Sequence, residues 1–139
     1  MRRLLFAAAV LAFAVGAAHA ETLRFRATLN GASEVPPNTS PATGTATATL
    51  DTVSKVFTYN ATYTGLTGPA TAAHFHGPAD PGANAGPVVP IPNPASPISG
   101  TATLTDPQIA DLRAGKWYLN IHTAANRGGE IRGQVVAAP

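Results

Sequence analysis

The sequence predicts an all-β domain, an antiparallel β-sandwich with one short helix, which follows an export signal. Three observations lead to this prediction. Apolar and polar residues alternate over several short stretches, turn-forming residues separate those stretches, and only one segment carries both helix start and helix stop signals.

The first twenty residues have the plan of a secretory signal peptide. Arg2 and Arg3 form its basic start, an apolar run follows from Leu4, and Ala18-His19-Ala20 has the small-residue cleavage pattern. We expect cleavage before Glu21, which divides the chain into a signal peptide over 1–20 and one domain over 21–139. The expected location is periplasmic or secreted. The apolar run is well short of the ~20 residues that a membrane-spanning helix needs, so no membrane span is predicted.

The composition of the mature domain limits its partners and its ligands. Loss of Arg2 and Arg3 leaves seven Lys/Arg against seven Asp/Glu, so charge gives no argument for nucleic acid. The chain has no cysteine and its one methionine is Met1. The domain therefore has no disulfide, and nitrogen and oxygen atoms must hold any metal that it binds.

Alternation predicts four strands in the first half of the chain. In the first, apolar residues alternate with Arg24, Arg26 and Thr28, and in the second, threonines alternate with small apolar residues. A turn-rich connection over 31–41 separates these two strands, and glycines end the third. The four predicted strands are 23–29, 43–50, 53–63 and 70–76.

The second half contains a proline-rich segment, the helix and the last strands. Segment 77–97 carries seven prolines, which forbid regular helix and confine any strand, such as 88–91, to a sheet edge. Thr105 and Gln108 have capping-box spacing, with Pro107 in the first turn and Gly115 as the stop, so 105–115 is predicted helical. Strands are predicted at 98–104, 116–123 and 130–136. Seven or eight short strands favour a Greek-key or immunoglobulin-like sandwich.

Three histidines form a candidate metal site. His74 and His76 are two residues apart on a strand, so they share one face at about 6–7 Å between Cα atoms. His122 shares the polar face of a later strand with Tyr118 and Asn120. Three neutral imidazoles from two strands suit Cu(II) or Zn(II) with open coordination positions, and copper is the predicted cofactor with zinc as the second choice. The alternative is that the histidines are polar strand residues hydrogen-bonded to loops.

Other polar residues are candidates for supporting roles. Glu130 and Arg132 share a strand face, which predicts a structural ion pair, and the alternative is that Arg132 guides an anion toward a metal. Tyr118 and Asn120 are candidate neighbours of the metal ligands. Glu34 and Glu130 are expected at the surface. No serine lies in a nucleophile motif, so a serine hydrolase is not expected.

Two blocks of sequence resemble the CHRD domain, first described in chordin. They are Ala73-His-Phe-His-Gly-Pro-Ala79, and Gly115-Lys-Trp-Tyr-Leu-Asn-Ile-His-Thr123 followed by Asn126-Arg-Gly-Gly-Glu-Ile-Arg-Gly-Gln134. The resemblance runs from about Leu23 to Val136. The alanine-rich signal and the free-standing domain are typical of a small exported bacterial member. The growth-factor antagonism of the animal proteins is not implied, because the cysteine-rich modules associated with it have no counterpart.

A more distant similarity is to copper-zinc superoxide dismutase, which is also a Greek-key β-sandwich. His74 and His76 match its His-x-His copper strand, His122 matches a later copper histidine, and Arg132 matches its anion-guiding arginine. The bridging histidine, the zinc-ligand cluster and the disulfide have no counterpart. The resemblance implies that any enzymatic activity would be copper-dependent redox chemistry of this type.

Two functions follow from the sequence. The first is an exported protein that binds copper through His74, His76 and His122, for metal handling or modest redox chemistry. The second is a non-catalytic extracytoplasmic binding or adhesion module, in which the histidines are structural and segment 77–97 contacts a protein or glycan partner. The sequence leaves the oligomeric state open.

Overall fold

The computed structural model describes residues 16–139, so most of the predicted signal peptide, residues 1–20, lies outside the described range. No helix of this part of the chain is long and apolar enough to cross a membrane. The elements in chain order are β1 (Thr22–Asn30), β2 (Thr43–Asp51), β3 (Val56–Thr64), β4 (Ala70–His76), β5 (Pro87–Pro90), β6 (Ile98–Thr103), α1 (Asp106–Arg113), β7 (Trp117–Thr123) and β8 (Ile131–Ala137).

The eight strands of the described residues belong to one antiparallel sheet with the order β5-β4-β7-β8-β1-β2-β3-β6. The sheet curls until its two halves face each other across the core. The ring centroid of Phe57 on β3 lies 5.2 Å from that of Phe75 on β4 and 5.7 Å from that of Trp117 on β7. The predicted all-β fold with one short helix is confirmed.

Alternation along β1 and β2 sorts their residues between the core and the outer face. Phe25, Ala27 and Leu29 of β1 are buried, and they pair in register with Ala48, Ala46 and Gly44 of β2. The threonines of β2 point outward, where three of the four are exposed and Thr49 is half-buried. Small residues on the core side of β2 leave room for the large rings of Phe57 and Tyr59, which are almost fully buried.

The helix signals of the sequence are confirmed. The Thr105 hydroxyl accepts from the Gln108 backbone N–H at 3.3 Å, and the Thr105 N–H donates to the Gln108 side chain at 2.9 Å, which completes the capping box. Gly115 adopts φ +72 just beyond the helix, a conformation that favours glycine. Leu112 fixes the helix to the core, because it is fully buried.

The start of the third strand is predicted three residues too early, and the proline-rich edge strand is predicted correctly. The third strand begins at Val56 rather than Val53, because the Asp51 carboxylate accepts from the N–H groups of Val53 and Ser54 at 2.9 and 2.7 Å and forms a turn. Val53 is 53% exposed as a result. The short strand β5 lies at a sheet edge, as the prolines require.

The outer face of β4, β7 and β8 is polar but covered. Segments 31–38 and 77–86 lie over it, and Tyr118, Asn120 and Arg132 on this face are only 2%, 1% and 5% exposed. The Arg132 guanidinium holds segment 77–86 by donating to the Ala83 carbonyl at 3.1 Å. The candidate metal ligands therefore lie beside a buried polar layer rather than on an open sheet surface.

Candidate metal centre

The three candidate histidines meet on the outer face of two adjacent strands. Ala72 of β4 pairs with His122 of β7, and His74 pairs with Asn120, so His74 and His122 are diagonal neighbours across the strand pair. His76 follows on the same face of β4. One ring nitrogen from each histidine lies within 4.8 Å of the other two, so the predicted cluster is present in the structure.

Backbone carbonyls fix the orientation of two of the rings. His76 Nδ1 lies 2.9 Å from the Ala85 carbonyl oxygen, and His122 Nδ1 lies 2.8 Å from that of Arg127. A carbonyl only accepts, so each Nδ1 must carry the proton and each Nε2 keeps its lone pair. Hydrogen bonds of this kind are the usual means by which proteins orient metal-binding histidines.

The Nε2 atoms of His76 and His122 are not used by these carbonyls. Within residues 16–139, His76 Nε2 is buried without a hydrogen-bond partner, which is costly for a polar atom unless something else occupies that position. His122 Nε2 lies 3.2 Å from His74 Nδ1, so the latter donates to it when both rings are neutral. These residues fit a metal ion, because one ring nitrogen from each histidine converges and His76 Nε2 has no hydrogen-bond partner in the part of the chain that the structure describes.

Electrostatics keep two of these rings neutral. Burial lowers the pKa of His74, and the neighbouring His122 lowers it further. Burial also lowers the pKa of His76, although the hydrogen bond to Ala85 opposes this effect. Neutral imidazole is the form that binds a metal, so the lone pairs remain available at neutral pH.

The donor set is selective for borderline transition metals. It consists of imidazole nitrogens, which suit copper and zinc, whereas magnesium and calcium need several oxygen ligands. The buried Glu34 carboxylate does not join them, because it accepts from Arg132 Nε at 2.9 Å and from the Asn120 amide. His74 and His122 are half-buried, so one side of the cluster is open to solvent.

Tyr118 links His76 to segment 77–86. Its ring stacks on the His76 imidazole, with centroids 4.8 Å apart and planes 5° from parallel. Its hydroxyl lies 3.1 Å from both the backbone nitrogen and the carbonyl oxygen of Ala85, the residue whose carbonyl also accepts from His76. Tyr118 thereby positions the carbonyl that fixes the His76 tautomer.

The predicted ion pair of Glu130 with Arg132 is wrong, because Arg132 pairs with Glu34 instead. Both side chains of this pair are buried, at 6% and 3% exposure. Arg132 also donates to Ala83 and Asn84 and lies over the Tyr118 ring, with Cζ 4.1 Å from its centroid. Its guanidinium is committed to these contacts, so it acts as a brace between the two covering segments.

The carboxylates predicted at the surface are both buried, which corrects that expectation. Burial raises the pKa of Glu34, and Arg132 and Asn120 oppose the increase. Nothing in the sequence near Glu34 indicated its partner, because Arg132 lies 98 positions away. The two carbonyls that orient the histidines were also missed, since any residue type supplies a carbonyl and the sequence carries no signal for it.

Glu130 is fully buried, has no cationic partner among the described residues, and fixes the loop between β7 and β8. Its carboxylate accepts from the hydroxyls of Ser40, Thr67 and Thr123 at 2.7, 2.9 and 2.7 Å, and from the Thr67 N–H at 2.9 Å. Burial alone would raise the pKa of Glu130, but these hydrogen bonds outweigh it and lower the pKa to about 2. The fixed loop carries the Arg127 carbonyl that orients His122.

Comparison with known proteins identifies the family. A family model for the CHRD domain matches residues 25–135, which include all three histidines. The chain belongs to the CHRD domain family. CHRD domains are typically extracellular modules. No curated protein and no solved structure matches the chain.

Proposed function

We propose that this protein is an exported CHRD-domain protein that binds one copper ion through His74, His76 and His122. The observation that carries the proposal is the convergence of one ring nitrogen from each of the three histidines within 4.8 Å. In addition, His76 Nε2 is buried and has no hydrogen-bond partner within residues 16–139. A structural role alone would leave that atom at a cost in stability, whereas a metal ion would satisfy it.

Copper is favoured over zinc by the ligand chemistry. Imidazole ligands bind both ions, and affinity for a given nitrogen site rises from the earlier divalent metals to Cu(II) and falls again at Zn(II). Export supports the same choice, because copper is more available outside the cytoplasm. We place the mature protein in the periplasm or outside the cell, after cleavage before Glu21. The extracellular occurrence of CHRD domains agrees with that location.

The open side of the cluster determines what bound copper could do. Three protein ligands leave coordination positions for water or another small ligand, which suits metal handling or modest redox chemistry. Arg132 would hold the two covering segments in place rather than guide an anion, since its guanidinium already binds Glu34, Ala83 and Asn84. Tyr118, Asn120 and Glu130 would serve as supports of the ligand-bearing strands and loop.

Copper titration tests the proposal directly. The protein is expressed with its own leader, and mass spectrometry determines the mature N-terminus, which also tests cleavage before Glu21. Cu(II) is then titrated to one equivalent, and electron paramagnetic resonance reports nitrogen coordination. Wild-type protein should show coupling to imidazole nitrogens, and a H74A/H76A/H122A variant should lose it.

Two further variants make the result specific. His76→Phe keeps a ring beside Tyr118 and removes the nitrogen donor, so it should weaken copper binding while the protein stays folded. Asn60→Ala changes an exposed residue on the other half of the sheet and should leave binding unchanged. Identical copper spectra from wild-type and triple-variant protein would overturn the proposal and favour the binding module with structural histidines.

A further inference from the structure

Unpaired arginines gather on one part of the domain over 21–139, in which seven Lys/Arg face seven Asp/Glu. Within residues 16–139, three ion pairs occupy Lys55, Lys116 and Arg132. The arginines in this range that have no carboxylate within ion-pair distance are Arg24, Arg26, Arg113 and Arg127. Three of these four line two adjoining clefts, whereas Arg127 lies in the loop between β7 and β8 beside the candidate metal centre.

The two clefts form one continuous surface, which we call the arginine cleft. The larger, of about 470 Å³, is lined by Arg24 and Arg113, and the other, of about 420 Å³, by Arg24 and Arg26. Both clefts are lined by Arg24, Phe25, Ala138 and Pro139. Glu21 is the only acidic side chain in either lining, against three arginines, so the side chains of the linings carry a net positive charge.

Strand register places hydrogen-bonding side chains beside the two arginines in rows. One row crosses from Arg24 through Thr49 and Thr58 to Thr101, and the next crosses from Arg26 through Thr47 and Asn60 to Ser99. Neighbouring strands lie about 4.8 Å apart, so each row spans about 14 Å. Apart from the half-buried Thr49, all of these side chains are exposed.

We propose that the arginine cleft binds an anionic polysaccharide. A guanidinium pairs with carboxylate or sulfate groups through two parallel hydrogen bonds, and hydroxyl and amide side chains bond to sugar hydroxyls. The rows offer both kinds of contact along a length that a short oligosaccharide would follow. The typical extracellular setting of CHRD domains brings the cleft into contact with such polymers.

Other polyanions fit this surface less well. Single-stranded nucleic acid binds by stacking its bases on aromatic side chains, and the only aromatic residue of the cleft linings, Phe25, is 3% exposed. Binding in the plane of a membrane would need an exposed apolar surface, whereas the rows consist of arginine, threonine, serine and asparagine. The proposal is independent of copper binding, because the histidines lie on the other half of the sheet.

Binding to immobilised polysaccharides tests the proposal. The folded protein is passed over a polyuronate, a sulfated polysaccharide and neutral dextran, and affinity is measured at several salt concentrations. Wild-type protein should bind one or both of the anionic polymers and not dextran. Each of Arg24→Ala and Arg26→Ala should weaken binding about tenfold, the effect expected from loss of one charge-assisted contact.

Matched variants separate this site from general attraction to polyanions. Arg127→Ala removes the same charge at a distance from the cleft and should change affinity by less than twofold. Thr47→Val keeps the shape and the charge but removes a hydroxyl, so it should weaken binding without changing the salt dependence. Equal losses from Arg24→Ala and Arg127→Ala, no effect of Thr47→Val, or equally tight binding of poly-dT would each overturn the proposal.

Discussion

Replacing Glu130 by glutamine should destabilise the protein in a way that depends on pH. The variant keeps the shape of the side chain and removes the charge that four hydrogen bonds stabilise. Because the pKa falls from 4.5 to about 2, the carboxylate contributes up to about 3 kcal/mol to the free energy of unfolding above pH 4.5. This contribution is lost as the pH falls through 4.5 toward 2, because the unfolded carboxylate takes up its proton first.

Urea denaturation checks this prediction, with Trp117 as the probe, since it is the only tryptophan of the chain and is fully buried. The difference in free energy of unfolding between wild type and Glu130→Gln should be largest at pH 7 and about 2 kcal/mol smaller at pH 3. Glu130→Ala is the control, because it also leaves the Thr67 N–H without an acceptor and should destabilise at both pH values. A difference for Glu130→Gln that is equal at pH 7 and pH 3 would refute the reasoning.

Three further predictions follow from the structure. Copper should remain bound as the pH falls to 6.5 and be released only below that pH, because burial lowers the pKa of His74 and His76. Equilibrium dialysis at stepped pH measures the release, and half-release above pH 6.5 would contradict the prediction. Gly133→Ala should lower the free energy of unfolding by about 3 kcal/mol or more, because the added Cβ would lie 2.1 Å from the Thr28 carbonyl oxygen. Gly128→Ala is the control: its Cβ would have no neighbour within 4 Å, so this variant should unfold at nearly the wild-type urea concentration. Tyr118→Phe keeps the ring stacked on His76 but removes the hydroxyl that bonds to the Ala85 backbone. It should lower the free energy of unfolding by about 1 kcal/mol and weaken copper binding. Unchanged affinity in a copper titration would exclude the positioning role of Tyr118.

The sequence predicts the strands and the histidine cluster because both depend on a period of two. Alternation around Phe75 places His74 and His76 on one outer face, and alternation around Leu119 and Ile121 places His122 on the matching face. Antiparallel pairing of the two strands then brings the faces together. Predicting the histidine cluster requires no long-range contact other than that strand pairing.

What the sequence could not predict depends on segments without periodicity. Glu34 lies in the irregular connection between β1 and β2, and Ala85 lies in the proline-rich segment, so neither had a predictable partner. Folding of these segments over the sheet buries Glu34 against Arg132 and places the Ala85 carbonyl against His76. The error at Val53 has a similar cause, because a local hydrogen bond from the Val53 N–H to the Asp51 carboxylate forms a turn and overrides the alternation that continues through it.

The two halves of the sheet show why alternation alone cannot distinguish a covered polar face from a bare one. Outward residues of β1 to β3 and of β4, β7 and β8 follow the same period, yet the first set is mostly exposed and the second mostly buried or half-buried. Residue type separates them. Threonine needs no partner beyond water at a surface, whereas a buried histidine, asparagine or arginine needs specific partners, which the covering segments supply. His76 Nε2 is the one atom of the histidine cluster that these segments leave buried and unpaired, and it is therefore the atom on which copper binding can be tested most directly.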